Sequence, residues 1–126
     1  MLKHSSQLAD RTPQNPIPVE RIVSVSAAVF GISSSMMTQR RKLSAVIKPK
    51  HVSITITRYY LGYSLLDTAE FFGLVNHASV IHACKRVQDS FATNRPFRQK
   101  VLQVINELEL PEHEACIYMN LKALVK

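Results

Sequence analysis

The chain has 126 residues, which is enough for one ordinary domain with tails and too few for two. Apolar residues make up 46% of the sequence, as expected for a globular protein. Lysine and arginine number 16 against 9 acidic residues, giving a formal net charge of +7 and a sequence pI of about 9.7. This balance favours a polyanionic partner.

The charge is unevenly distributed along the chain. No acidic residue occurs between Glu20 and Asp67. The basic residues in this interval are Arg21, Arg40, Arg41, Lys42, Lys48, Lys50 and Arg58. The acids near the C-terminus are Glu107, Glu109, Glu112 and Glu114. We therefore expect the positive potential to lie on one part of the molecule.

The sequence indicates a cytoplasmic protein. Its longest mostly apolar run, from Val23 to Ile32, is interrupted by serines, so neither a signal peptide nor a membrane-spanning segment is predicted. Cys84 and Cys116 lack metal-ligand spacing, and we expect free thiols in a reducing compartment.

The first elements in chain order are a flexible arm, residues 1–17, and a helix that begins near Pro18 and ends at Phe30. The arm is predicted from its Ser, Gln, Asn and Pro content, and the helix from its apolar spacing. Gly31 is a typical helix stop, and Ser33 can cap a short helical turn. The predicted inward stripe is Val19, Ile22, Val23, Ala27 and Phe30.

A basic loop follows, from Gln39 to Lys50, with Pro49 placed where a helix can start. Its candidate DNA-binding side chains are Arg40, Arg41, Lys42, Lys48 and Lys50. A run of charge is often no more than a solvated surface. On a connection between helices, however, long basic side chains can reach a phosphate backbone or a groove.

The segment from Lys50 to Tyr60 is ambiguous. Val52 to Thr57 alternates apolar and hydroxyl residues and is β-branched at nearly every position, as in a strand. No second strand-like run with hairpin signals is available to pair with it. We therefore predict a helix here, and an all-α fold.

Two helices joined by a tight turn are predicted between Ser64 and Phe91. Ser64 can cap the first helix, Gly73 can end it, and Asn76 can cap the second. The apolar positions of the second helix are Val80, Ile81, Cys84, Val87 and Phe91, and its opposite face carries His77, Ala78, Ser79, His82, Lys85 and Arg86. This arrangement is typical of a helix-turn-helix that reads DNA, although any antiparallel helix pair can share it.

Two further helices complete the prediction. Asn94 and Pro96 mark the start of one, which ends before Pro111. The last is predicted from Glu112 to Lys126 with a broad apolar face, which suggests packing, self-association or a protein partner.

The stretch from Ser64 to Val87, SLLDTAEFFGLVNHASVIHACKRV, resembles the C-terminal DNA-binding domain of the bacterial replication initiator DnaA. The F-G pair, the following histidine and the V-I-H-A-C-K-R run agree in one register. Lys48-Pro49-Lys50 matches the basic-proline-basic motif upstream. The resemblance implies a compact, Trp-repressor-like helical bundle over residues 18–110. The predicted arm and the additional C-terminal helix, residues 111–126, lie outside the resemblance.

The resemblance also implies roles for individual residues. The second motif helix would read the major groove, the basic loop would enter the minor groove, and the first motif helix would present its start to a phosphate. Carried over by position, the DNA-binding set comprises Leu65, Leu66, Val75, Asn76, His77, Ala78, Ser79 and Lys85 together with the basic residues of the loop. Val75, Asn76 and Ala78 depart from the family's Arg, Asp and Thr.

Two functions therefore stay open. One is duplex DNA binding in replication or transcription control, in a bacterium or phage; the other is a protein-interaction or structural component that keeps the fold without specific base reading. No enzyme, metal or cofactor is predicted. His77 and His82 do not share a helix face as a zinc pair would, and no P-loop motif occurs. We interpret His82 as a structural residue at the edge of the core.

Overall fold

The computed structural model describes residues 17–37 and 44–124. Within these ranges all the regular secondary structure is helical, which confirms the predicted all-α class. The helices are α1 (Val19–Phe30), α2 (Ser44–Thr55), α3 (Leu65–Phe71), α4 (His77–Thr93), α5 (Arg95–Glu107) and α6 (Glu112–Met119), with a 3-10 turn at Ser34–Met36 and a π-helix at Ile56–Tyr60. None of the helices described is both long and apolar enough to cross a membrane.

α1 begins and ends where the sequence predicts. Pro18 precedes it with φ −63°, a value that suits a helix start, and Gly31 ends it with φ 76°, in the left-handed region that favours glycine. Ile22 and Ala27 are fully buried, so the predicted stripe does face the core. Residues 1–16 of the predicted arm lie outside the described part of the chain.

The β-branched segment is helical, as predicted. α2 continues directly into the π-helix, where the Leu61 N–H donates to the Ile56 carbonyl five residues earlier at 3.1 Å. Val52, Ile54 and Ile56 are all buried, because this helix lies at the centre of the bundle and packs on several sides. Burial on several faces explains why its sequence lacks the usual amphipathic period.

The prediction that Pro49 starts a helix is wrong, because α2 already extends from Ser44 and includes Pro49. Proline removes the N–H that would donate to the carbonyl four residues earlier, here that of Ala45. Ala45 is exposed to solvent, so water can satisfy this carbonyl near the start of the helix.

The helix-turn-helix forms through the predicted caps. The Ser64 hydroxyl accepts from the Asp67 N–H at 3.0 Å, and the Asn76 side-chain oxygen accepts from the Ser79 N–H at 3.1 Å. Gly73 has φ 67°, and the next N–H, that of Leu74, donates back to the Ala69 carbonyl at 2.8 Å. This closing pattern fixes the turn between α3 and α4.

The prediction is wrong for one residue of the core face of α4. Ile81 is 54% exposed, whereas Ala83, which was not in the predicted stripe, is buried. A helix turns by about 100° per residue, so Ile81 points well away from Val80 and the rest of the buried face. Cys84 and Val87 are buried as predicted.

α5 has the predicted cap, since the Asn94 side-chain oxygen accepts from the Phe97 N–H at 3.0 Å. The predicted helix from Glu112 to Lys126 is wrong in length, because α6 ends at Met119. Asn120 adopts φ 55°, and the chain turns so that Leu121 is buried in the core. Residues 121–124 are not helical.

Candidate nucleic-acid interface

Two recesses flank the start of α4. The α2–α4 recess has a volume of about 620 Å³ and includes Lys50, His51, Ser79, His82 and Arg86 in its lining. The α3–α4 recess has a volume of about 620 Å³ and includes Leu66, Glu70, Val75, His77 and Ala78. The first residues of α4 thus form a ridge between a recess lined by basic residues and one lined by Glu70 and no lysine or arginine.

Two of the predicted reading residues at this ridge are occupied in capping. The Asn76 side-chain oxygen accepts from the Ser79 N–H at 3.1 Å and lies 3.4 Å from the Ser79 hydroxyl. Asn76 therefore fixes the start of α4, and its oxygen is already engaged. Ser79 is half-buried beside it.

The outermost side chains of the ridge are His77, Ala78 and Val75. His77 and Ala78 are exposed on the first turn of α4, and Val75, just before the cap, is 92% exposed. These side chains are the best placed of the predicted readers to contact a partner that approaches the end of α4.

The two residues of the predicted phosphate site at the start of α3 differ in their exposure to solvent. Leu65 is half-buried against the core, while Leu66 is 44% exposed and lines the α3–α4 recess. Whether this end contacts a phosphate stays a prediction.

The basic candidates differ in their surroundings. Lys50 lines the α2–α4 recess, and Lys48 lines an adjoining recess of about 220 Å³ together with His51 and Arg86. Lys85 instead pairs with Asp89 one turn later on α4, at 3.6 Å. Arg40, Arg41 and Lys42 lie outside the described residues.

Three recess residues were missing from the predicted site. Arg86 and His51 line both the α2–α4 recess and the adjoining one, and His82 lines the former. His82 is exposed, so its interpretation as a residue at the core edge is wrong. The available signal was spacing, because Ser79, His82 and Arg86 recur on one face of α4.

His51 is held neutral in this recess. Its pKa falls from 6.5 to about 4, first because partial burial penalises the charged imidazolium, and then because His82, Arg86 and Lys50 add positive charge nearby. The low pKa of His51 therefore comes first from its partial burial, and the positive charge of the recess adds to it.

This shift predicts a pH-dependent contribution to stability. The folded state disfavours a protonated His51 that the unfolded chain accepts, so stability is lost as the pH falls from 6.5 towards 4. Because His51 is only partly buried, solvent screening reduces the effect, and we expect a loss of about 1–2 kcal/mol. Urea unfolding of wild type and His51→Gln at pH 7 and pH 4 measures it, and the variant should lose less stability. Equal losses in the two proteins would contradict this assignment.

Comparisons with known proteins identify the family of the helix-turn-helix region. The family of the bacterial dnaA protein helix-turn-helix matches residues 19–87, which run from the start of α1 into α4. The match thus includes α2, α3 and the ridge at the start of α4.

Several chromosomal replication initiator proteins named DnaA are similar to the chain. The initiator of Psychromonas ingrahamii is 27% identical over 103 residues, which are 82% of this chain and 22% of that protein. DnaA 1 of Protochlamydia amoebophila is 24% identical over 103 residues, again 82% of this chain and 23% of that protein. The initiator of Wolbachia pipientis wMel is 28% identical over 91 residues, 72% of this chain and 20% of that protein.

The chain spans between a fifth and a quarter of the length of these relatives. The family match, in contrast, covers more than half of the chain itself. The chain therefore belongs to the bacterial DnaA helix-turn-helix family.

Proposed function

We propose that the chain binds duplex DNA through its helix-turn-helix, in replication or transcription control. The observation that carries the proposal is the exposed start of α4 beside a recess lined by Lys50 and Arg86. A helix end of this kind fits the major groove when cations beside it can contact the phosphates.

Electrostatics support the same surface. Lys48, Lys50 and Arg86 lie together where α2 packs against α4. The pKa of His51 is lowered first by its burial and then by positive charge that includes Lys50 and Arg86. The four acids near the C-terminus are on α5, α6 and the turn between them, and none of them lines the recesses described above. The α2–α4 recess and the adjoining one have basic but no acidic residues in their lining, which favours a polyanion.

We expect this surface to discriminate only modestly between DNA bases. His77 is the exposed polar side chain on the first turn of α4, and Val75 and Ala78 offer no hydrogen bond. A bidentate contact from arginine to guanine contributes about 1–3 kcal/mol of discrimination, and Val75 cannot supply one. Most of the affinity therefore comes from the phosphate backbone.

A second candidate function is a protein-binding role without DNA. It is favoured by the exposed Val75 and Leu66, which form an apolar edge on the α3–α4 recess. Apolar side chains exposed together often mark a protein interface. The proposed DNA contact and this alternative differ in their dependence on salt.

The test is binding of the full chain to duplex DNA at a series of salt concentrations. Each neutralised phosphate contributes about −0.9 to the slope of log affinity against log salt, so contacts from Arg40, Arg41, Lys42, Lys48, Lys50 and Arg86 should give about −5 to −6. Neutralising the three arginine and lysine residues at 40–42 should flatten the slope by about 2–3 for all sequences alike. Fluorescence polarisation measures both slopes.

His77→Ala is the matched control in this experiment. It should change the discrimination between DNA sequences while leaving the slope almost unchanged, since a contact to a base edge neutralises no phosphate. Absence of any salt-dependent DNA binding by wild type would leave the protein-binding alternative.

A further inference from the structure

We propose that DNA binding at the α2–α4 recess is coupled to the uptake of one proton by His51, so that the affinity for duplex DNA rises as the pH falls. This inference rests on the proposed DNA-binding function and adds a regulation of that same site. The proton comes from solvent and binds to the unprotonated ring nitrogen of the imidazole, and no other covalent bond changes.

The first support is the position of His51 on α2, at the face that packs against α4. Its side chain is half-buried and lines both the α2–α4 recess, of about 620 Å³, and the adjoining recess, of about 220 Å³. In the proposed function the phosphate backbone of a duplex approaches these recesses, because their lining includes Lys50 and Arg86. The ring of His51 then lies beside an anion.

The second support is the charge around His51. No aspartate or glutamate is among the described residues that line the two recesses. The titratable and charged groups that face His51 there are Lys48 and Lys50 on α2 and His82 and Arg86 on α4. α5 contributes only the apolar Phe97 to this lining, and α1, which also packs on α2, contributes none of it. Because the lining supplies no counter-charge, an imidazolium is disfavoured here until an anion arrives.

The third support is the protonation state of His51 in the free chain. Burial, followed by the charges of His82, Arg86 and Lys50, lowers its pKa from 6.5 to about 4, so the ring is neutral at physiological pH. A phosphate offsets these cations and can accept a hydrogen bond from the imidazolium. An opposite charge at such a distance changes a pKa by about 1–3, which is enough to return that of His51 towards 6.5.

Linkage determines the direction and the size of the effect. The pKa of His51 is higher in the complex than in the free chain, so affinity is gained as the pH falls through the higher value, and the gain ends near pH 4. With a pKa of 6.5 in the complex and about 4 in the free chain, the affinity at pH 5.5 is about tenfold higher than at pH 7.5.

The test measures binding of the full chain to a duplex of mixed sequence at pH 7.5 and pH 5.5, by fluorescence polarisation at one ionic strength without inorganic phosphate. Wild type should bind about tenfold more tightly at the lower pH. His51→Gln keeps a polar side chain that cannot be protonated in this range, and it should remove that tenfold difference. His113→Gln is the matched control, because His113 is exposed on α6 and lines none of the recesses described, and it should retain the difference.

Calorimetry counts the proton directly. Titration of wild type with the duplex at pH 5.5, in two buffers that differ in their enthalpy of ionisation, gives the number of protons taken up on binding. We expect wild type to take up about 0.9 proton more than His51→Gln, since the ring is almost fully protonated in the complex and almost neutral in the free chain. A purely structural role of His51 would not produce this difference.

The outcomes separate this inference from the function on which it rests. Salt-dependent DNA binding with the same pH dependence in wild type and His51→Gln would overturn the proton coupling and leave DNA binding intact. If His82→Gln removes the pH dependence and His51→Gln retains it, the proton binds to His82 and the inference is wrong. Thermal melting verifies that the variants are folded, and if His51→Gln is not, wild type that takes up no proton still overturns the inference. Failure of wild type to bind the duplex at either pH would overturn both proposals.

Discussion

A chain truncated after Leu110 should lose its cooperative thermal unfolding transition. The deleted segment contributes Ala115, Met119 and Leu121 to the buried core. Loss of one buried Met or Leu side chain typically costs about 2–5 kcal/mol, and a domain of this size has about 5–15 kcal/mol in total. Circular dichroism during heating measures the loss.

Hydrogen bonds and ring contacts add to this dependence on the C-terminal segment. The Gln88 side chain donates to the Met119 carbonyl at 3.0 Å, and the Leu124 N–H donates to the Ala92 carbonyl at 2.9 Å. The rings of Tyr60 and Tyr118 lie 5.5 Å apart between centroids, so truncation also uncovers Tyr60. Unchanged melting of the truncated chain would contradict a packing role.

A second pair of variants separates packing from self-association. Met119→Ala should lower the free energy of unfolding by about 2–5 kcal/mol, because Met119 is buried. Ile117→Ser, at a position that is 62% exposed, should change it by no more than about 0.5 kcal/mol. Sedimentation velocity then measures self-association. If Ile117→Ser alone sediments as a smaller particle than wild type, the exposed face of α6 contacts a second copy of the chain.

The features that were predictable from sequence are those set by neighbouring residues. Ser64, Asn76 and Asn94 cap helices because each side chain needs to reach an N–H only three residues ahead. Gly31 and Gly73 end helices because a left-handed residue is required there. Such local rules locate α1, α3, α4 and α5 closely.

The errors arise where packing between segments that are distant in sequence determines the structure. Sequence spacing placed Ile81 in the core, but the face of α4 that packs on the bundle is centred on Val80 and Cys84 and leaves Ile81 in solvent. The end of α6 depends on Leu121 returning to the core, which favours the turn at Asn120 over further helix. Pro49 lies inside α2 because one unsatisfied carbonyl costs little at an exposed helix start.

The candidate site was predictable only in part for the same reason. His77, Ala78 and Ser79 follow from the cap at Asn76 and the period of α4. His51 belongs to the recess because α2 crosses α4, a contact that sequence spacing along α4 cannot indicate. The resemblance alone placed Val75 in the predicted DNA-binding set, and its exposure follows from the turn before α4.

Reversing the charge of Lys50 and Arg86 together should weaken binding to duplex DNA by about 100-fold or more near 0.1 M salt. Each phosphate contact raises the affinity for DNA about eightfold when the salt concentration falls tenfold. The loss of two contacts therefore lowers the affinity by about 60-fold. The added carboxylates then repel the phosphates, which increases the loss further. Fluorescence polarisation with Lys50→Glu, Arg86→Glu measures the effect.

A matched control makes the same change in net charge at residues outside the two recesses. Lys100→Glu with Lys122→Glu alters exposed residues on α5 and after α6, neither of which lines the two recesses. Because screening at this salt limits interactions to about 10 Å, this variant should lose far less affinity than the recess variant. Thermal melting of both proteins verifies that they are folded. Equal losses in the two folded variants would indicate that net charge, and not the recess beside α4, determines DNA binding.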